Sequence, residues 1–185
     1  MERRKERRGS VAEAMARLAH LQTYWRGLMR HGLPPRRGDI EPGRIGPALP
    51  GAFVLDRIAP GEARLRLAGQ ALSDAAGTEA CGLPLSRLFE AASRPRLAAL
   101  LEQGFAQAWP CYAPLTCGRL GHVGGLLLLP LRGHEDAAPQ MLGALLHGLP
   151  PGRVRRFAFA GPTSIGAPAA SARPLRLVSV EAAPA

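Results

Sequence analysis

Between positions 11 and 29 the apolar residues Val11, Met15, Leu18, Leu21, Trp25, Leu28 and Met29 recur at three- and four-residue steps. That spacing predicts a helix with one apolar face. Ser10-Val-Ala-Glu13 has the form of a capping box, and Gly32 suits a left-handed cap, which sets the helix at residues 10–32. Prolines at 34, 35, 42, 47 and 50 then keep the chain to short turns. From Phe53 the period falls to two: Phe53, Leu55 and Arg57 share one side, Val54, Asp56 and Ile58 the other. After a Pro60-Gly61 turn, Leu65 and Leu67 alternate with Arg64 and Arg66, a second strand with one wet face.

Residues 69–90 hold short helical turns broken by Gly77, Gly82 and Pro84. Ser93 opens a better helix with the stripe Leu97, Leu100, Leu101, Phe105 and Ala108. An extended segment follows at 110–118. Four consecutive leucines within 123–131 then read as a strand covered on both faces, since a one-sided strand would alternate. Residues 140–146 give a last strand, and beyond Pro150 only 175–180 suggests another extended piece. The order predicts an α+β fold, one antiparallel sheet with helices on one face. The doubly apolar strand requires the other face to be covered too, and the N-terminal helix is the only sizeable apolar element left for it. The expected divisions are a basic disordered arm at 1–9, the helix at 10–32, the sheet domain at 33–149 and a Pro/Gly/Ala-rich extension at 150–185.

Composition narrows the class. The 185 residues are 46% hydrophobic and 21% charged, as expected of one globular domain. The longest uncharged stretches run sixteen residues and contain Pro and Gly, too short for a membrane-spanning helix of about 20 apolar residues. The charged N-terminus leads into no apolar segment of a secretory signal, and three cysteines (81, 111 and 117) make no disulfide framework, so a cytoplasmic location is expected. Of the net charge of +10, residues 1–37 carry +7. A basic arm can bind phosphates through counterion release, which gives nucleic-acid binding as an alternative function. No aromatics interleave with these arginines to stack on bases, so the arm is read as solvated and nucleic acid is not the expected partner.

Little catalytic chemistry can be nominated. Lys5 is the only lysine, which removes the phosphate-binding loop, and no Gly-x-Gly-x-x-Gly, Gly-x-Ser-x-Gly or His-Glu-x-x-His occurs. Cys111 and Cys117, six residues apart on one strand, stand about 20 Å apart and cannot share a metal unless the chain folds back at Pro114. The histidines at 20, 31, 122, 134 and 147 have no ligand spacing, and His134-Glu-Asp136 reads as a hairpin turn. No catalytic and no metal-binding residue is therefore expected. The second helix's stripe would face the sheet, so Phe53, Leu65, Leu97, Leu101, Phe105 and Leu127 are the candidates to line a pocket for a small hydrophobic ligand.

Several segments together resemble a known family. Leu21-x-x-Tyr24-Trp25-x-x-Leu28 and Gly32-Leu-Pro-Pro-Arg36-x-x-Asp39-Ile40-x-Pro42 are similar to the opening of the short PAS-domain proteins of alphaproteobacteria. Leu49-Pro50-x-x-Phe53-Val-Leu-Asp56, Arg66-Leu-Ala-Gly69, Gly82-x-Pro84-Leu85-x-x-Leu88-Phe89, Leu127-Leu-Leu-Pro-Leu131 and Met141-Leu-Gly-Ala144 follow in the same order, so the likeness runs from about residue 18 to 150. The resemblance implies a PAS-like five-stranded antiparallel sheet with helices on one face, a ligand cavity in many members, and dimerisation through an N-terminal helix. It carries over no catalytic residues, and no haem-ligating or flavin-adduct motif is recognisable, so the cofactor stays open. Gly124-Gly125 departs from the polar strand residue the pattern would have. The expectation is a non-enzymatic sensory or signalling module, homodimeric, acting through ligand binding or through contact with another signalling protein. Val11, Met15, Leu18 and Trp25 would cover the sheet or form the dimer seam. A small enzyme on the same scaffold is the other alternative.

Overall fold

A computed structural model describes residues 2–133 and 138–166 of the chain, with side chains from residue 10 onward. Helix α1 runs Glu2–Gly27, followed by the one-turn helix α2, Pro42–Ile45. Strands β1, Ala52–Ala59, and β2, Glu62–Ala68, form the first hairpin. Helices α3, Gln70–Ala76, and α4, Arg94–Gln107, come next, with 3-10 turns at Leu85–Leu88 and Ala91–Ser93 between them. Strands β3, Cys111–Cys117, β4, Leu120–Leu131, and β5, Gln140–His147, complete the main sheet, and the short β6, Phe157–Phe159, and β7, Ser164–Ile165, add to its far edge. The spatial order is β2-β1-β5-β4-β3-β6, with β7 also on β3 and every ladder antiparallel.

The sheet separates two cores. The alternation of β4 sends Leu126 and Leu128 to the face packed by α3 and α4, and Leu127 and Leu129 to the face packed by α1. On β5, Met141 and Leu145 go to the first core, Leu142, Ala144 and Leu146 to the second. That is why the leucine run shows no alternation in sequence: both faces are dry.

α1 lies along β4 and β5. Leu18, Leu21 and Trp25 are fully buried there, Met15 is nearly so, and Val11 packs at the edge. The Trp25 indole N–H donates to the Pro130 carbonyl at 2.9 Å, and the Tyr24 hydroxyl accepts from the Glu41 amide at 2.8 Å. Gly125 lets the helix come this close: a Cβ there would meet the Tyr112 ring at 2.6 Å and Leu18 Cδ1 at 3.0 Å. A polar strand residue at that point would push α1 off the sheet.

Four expectations need correction. The helix begins at Glu2, not Ser10, because residues 2–8 are Glu, Arg and Lys, good helix formers that extend it; Glu13 pairs with Arg17 one turn on. It ends at Gly27, not Gly32, and the left-handed pair His31 (φ 52°) and Gly32 (φ 76°) instead turns the chain so that Arg30 and Leu33 pair. The sheet has seven strands, not five, since β6 and β7, inside the expected extension, are three and two residues long and too short to leave a period. Leu67 does not share the inward face of Leu65: the register shift between Val54 and Leu55 places Val54 opposite Leu67 and Leu55 opposite Leu65, and Leu67 turns outward. The expected hairpin turn at 134–136 and strand at 175–180 lie outside the described residues.

Both sheet edges are covered. On β2, the Leu65 amide donates to the Leu83 carbonyl at 2.9 Å and the Gly82 amide to the Leu65 carbonyl at 2.7 Å. On the opposite side, the Glu90 amide donates to the Phe157 carbonyl at 2.9 Å. Such cover suppresses unplanned strand pairing.

Candidate functional site

The space between the sheet and helices α3 and α4 is the first candidate. Of the six expected pocket residues, Phe53, Leu65, Leu97 and Leu101 meet there, and Phe105 packs at the rim, half-buried. Leu127 is not among them; its place in the alternation of β4 puts it under α1 on the other face. Sequence could not separate it from Leu126 or Leu128, because the run carries no polar marker of phase.

These side chains fill the space rather than line it. A wall of any hollow able to admit water would carry accessible surface, yet Phe53 retains 2% and Leu65, Leu97 and Leu101 each 1%. Leu55, Leu72, Phe89 and Met141 close the rest and are as deeply buried. Phe53 lies over Gly143, its partner on β5, in the position a side chain there would otherwise take. Phe159 stacks on Phe89 with ring centroids 5.3 Å apart, so β6 seals one end. On β3, burial pushes the Cys111 thiol up to about 11, and the Tyr112 hydroxyl on the opposite face up to about 12. A thiol so placed is a packing group, not a nucleophile.

The hairpin end of this core is clamped. Glu102 on α4 accepts from Arg57 Nε at 3.1 Å and Nη2 at 2.7 Å, and from the Gly61 amide at 2.8 Å. The Gly61 amide, then Arg57, hold its carboxyl below the usual range. This ties α4 to the β1–β2 turn, a link sequence spacing did not show, since the partners are 45 and 41 residues apart.

At the end of β5, a polar groove of about 160 Å³ runs between the sheet and α1, lined by Ser10, Glu13, Arg17, His147 and the turn at Gly148. The His147 ring lies tilted beside that of Phe157, with centroids 5.4 Å apart, and its Nδ1 accepts from the Leu149 amide at 3.2 Å. Burial, and then Arg155, hold its pKa below the ordinary histidine value. Glu13 and Arg17 satisfy each other, so the groove offers no unpaired charge pair to a ligand.

The expected α1 residues occupy one site. Met15, Leu18 and Trp25, with Val11 beside them, pack against the chain's own sheet. Among the described residues no group of three or more His, Cys, Asp or Glu is placed to hold a metal ion, and no helix is long and apolar enough to cross a membrane.

A family profile described as PAS domain matches residues 14–146, from the first turns of the packed part of α1 to the end of β5. No curated protein and no solved structure matches the chain.

Proposed function

The chain belongs to the PAS-domain family, and from that premise we propose that it is a non-enzymatic signalling module that works through contact with another protein rather than through a ligand held in its interior. One observation carries this reading. The helix-side core, where a small hydrophobic ligand would sit, is occupied by the protein's own Phe53, Leu65, Leu97 and Leu101 at 1–2% exposure. A ligand could enter only by displacing side chains that together hold the domain, and each such displacement forfeits a few kcal/mol of packing, about 2–5 for a buried leucine. The surface must then carry the signal. A homodimer, if this module forms one, uses a face other than the buried stripe of α1.

The reading is tested by stripping and refolding. Protein purified natively and the same protein unfolded, exhaustively dialysed and refolded should melt at the same temperature, because nothing was bound to lose. A refolded protein that melts lower, and recovers on adding back the dialysed small-molecule fraction, would show an interior ligand and overturn the reading.

A further inference from the structure

Among the described residues, the outer face of the sheet is only part covered. α1 lies along β4 and β5. The β1–β2 side of the same face carries Val54, Asp56, Arg64, Arg66 and Leu67. Leu67 is 48% exposed, turned outward by the irregular register at Arg66, and Ile58, at the second shift in the same hairpin, is 50% exposed. Leu49 is 45% exposed, and its carbonyl abuts Gly69, two residues beyond Leu67. A bulge is a built feature that re-aims a side chain, and here two irregularities of one hairpin turn Leu67 and Ile58 to the surface.

The charge of this face is one-sided. Its carboxylate Asp56 is buried and already taken, by Gln140 Nε2 at 2.6 Å and Arg66 Nη1 at 3.2 Å. The Arg64 side chain, exposed beside it, has no hydrogen-bond or ion-pair partner among the described residues. Arg64, free among the described residues, and Arg66, paired with Asp56, thus stand between exposed apolar groups.

We propose that the β1–β2 outer face is a docking surface for an acidic amphipathic helix of a partner protein. This rests on the reading of the chain as a contact module and names the surface it uses. Two strands spaced about 4.8 Å apart give a strip about 10 Å wide, the width of one helix laid beside α1. Leucine-type side chains of the partner meet Leu67, Leu49 and Ile58, and its carboxylates meet Arg64 and Arg66. A second copy of this chain fits poorly, since the same face brought against itself sets arginine against arginine in a molecule of net charge +10.

The test uses a fluorescein-labelled Leu/Glu amphipathic peptide titrated with the full chain, followed by anisotropy. Binding is expected for this peptide and not for its Leu/Lys counterpart. Arg64→Glu and Leu67→Glu should each weaken it by about tenfold or more. Both side chains are exposed, so both variants should melt as the parent does; Leu67→Ser is the milder substitute should Leu67→Glu fail that check. A full-length variant with Arg3, Arg4, Lys5, Arg7 and Arg8 all changed to Gln should bind as the parent does. Absence of binding, equal binding to the Leu/Lys peptide, or loss confined to the arm variant would overturn the proposal. The refolding comparison reads the interior and is indifferent to Arg64 and Leu67, so the two readings fail separately.

Discussion

The ring of Phe53 occupies the space a side chain at Gly143 would need: a Cβ on Gly143 would stand 2.2 Å from Phe53 Cε2. The two residues face each other across β1 and β5, at the centre of the core that a ligand would otherwise share. Gly143→Ala should therefore displace the ring and destabilise the fold by about 1–3 kcal/mol, read as a lower denaturation midpoint. An unchanged midpoint would mean the ring has room to move.

Removing the ring makes the complementary case. Phe53→Ala should cost about 3–5 kcal/mol and leave an apolar hollow. Benzene should then raise the melting temperature of the variant and leave the parent unaffected. A parent protein stabilised by benzene would show a hollow already present.

α1 acts within the chain. Trp25→Phe, which loses the hydrogen bond to Pro130, should cost about 0.5–1.5 kcal/mol. Leu18→Ala, at a fully buried site against Gly125, should cost about 2–5 kcal/mol. Sedimentation should show the same oligomeric state for parent and both variants. A change of oligomeric state with no loss of stability would place the stripe at an interface instead.

Stability should fall with acid in two windows. The folded pKa of His147 lies below its unfolded value of about 6.5, so the unfolded chain takes up its proton first. Its contribution is intact above pH 6.5 and is lost as the pH falls from there through the folded pKa. His147→Gln should flatten the stability curve in that window. Glu102, also held low, contributes above its unfolded pKa of about 4.5, and that contribution is lost as pH falls through its folded pKa. Denaturation midpoints measured across these windows check both, and an unaltered slope in His147→Gln would remove the histidine from the account.

The thiols should divide by burial. Cys81 is exposed, whereas Cys111 is buried with its pKa pushed up to about 11. At mildly alkaline pH iodoacetamide should label Cys81 in the native protein and Cys111 only after unfolding, as read by peptide mass spectrometry. Native labelling of Cys111 would contradict the packing around β3.

Much of this architecture was legible because it is periodic. The stripe of α4 holds through Leu97, Leu100, Leu101 and Phe105, though Ala108 falls past the helix end, exposed and left-handed (φ 52°). The two-residue period of β1 stands where the pattern put it, and the need to cover a strand dry on both faces led to α1. Local features without a period were not legible. The shift that turns Leu67 outward leaves Arg64-Leu65-Arg66-Leu67 looking like a regular strand. Ser10 and Glu13 have the letters of a cap, yet the helix formers before them continue the helix. The candidate pocket was legible as a set of residues but not as a filled one, since whether Phe53 leaves a hollow depends on its fit against Gly143, 90 residues away in the sequence.

The central claim is that nothing is held inside this domain. Native and denaturing mass spectra of the purified protein, recorded side by side, test it most directly. The account predicts bare polypeptide mass per chain in both. Extra mass in the native spectrum that disappears on denaturation would contradict it.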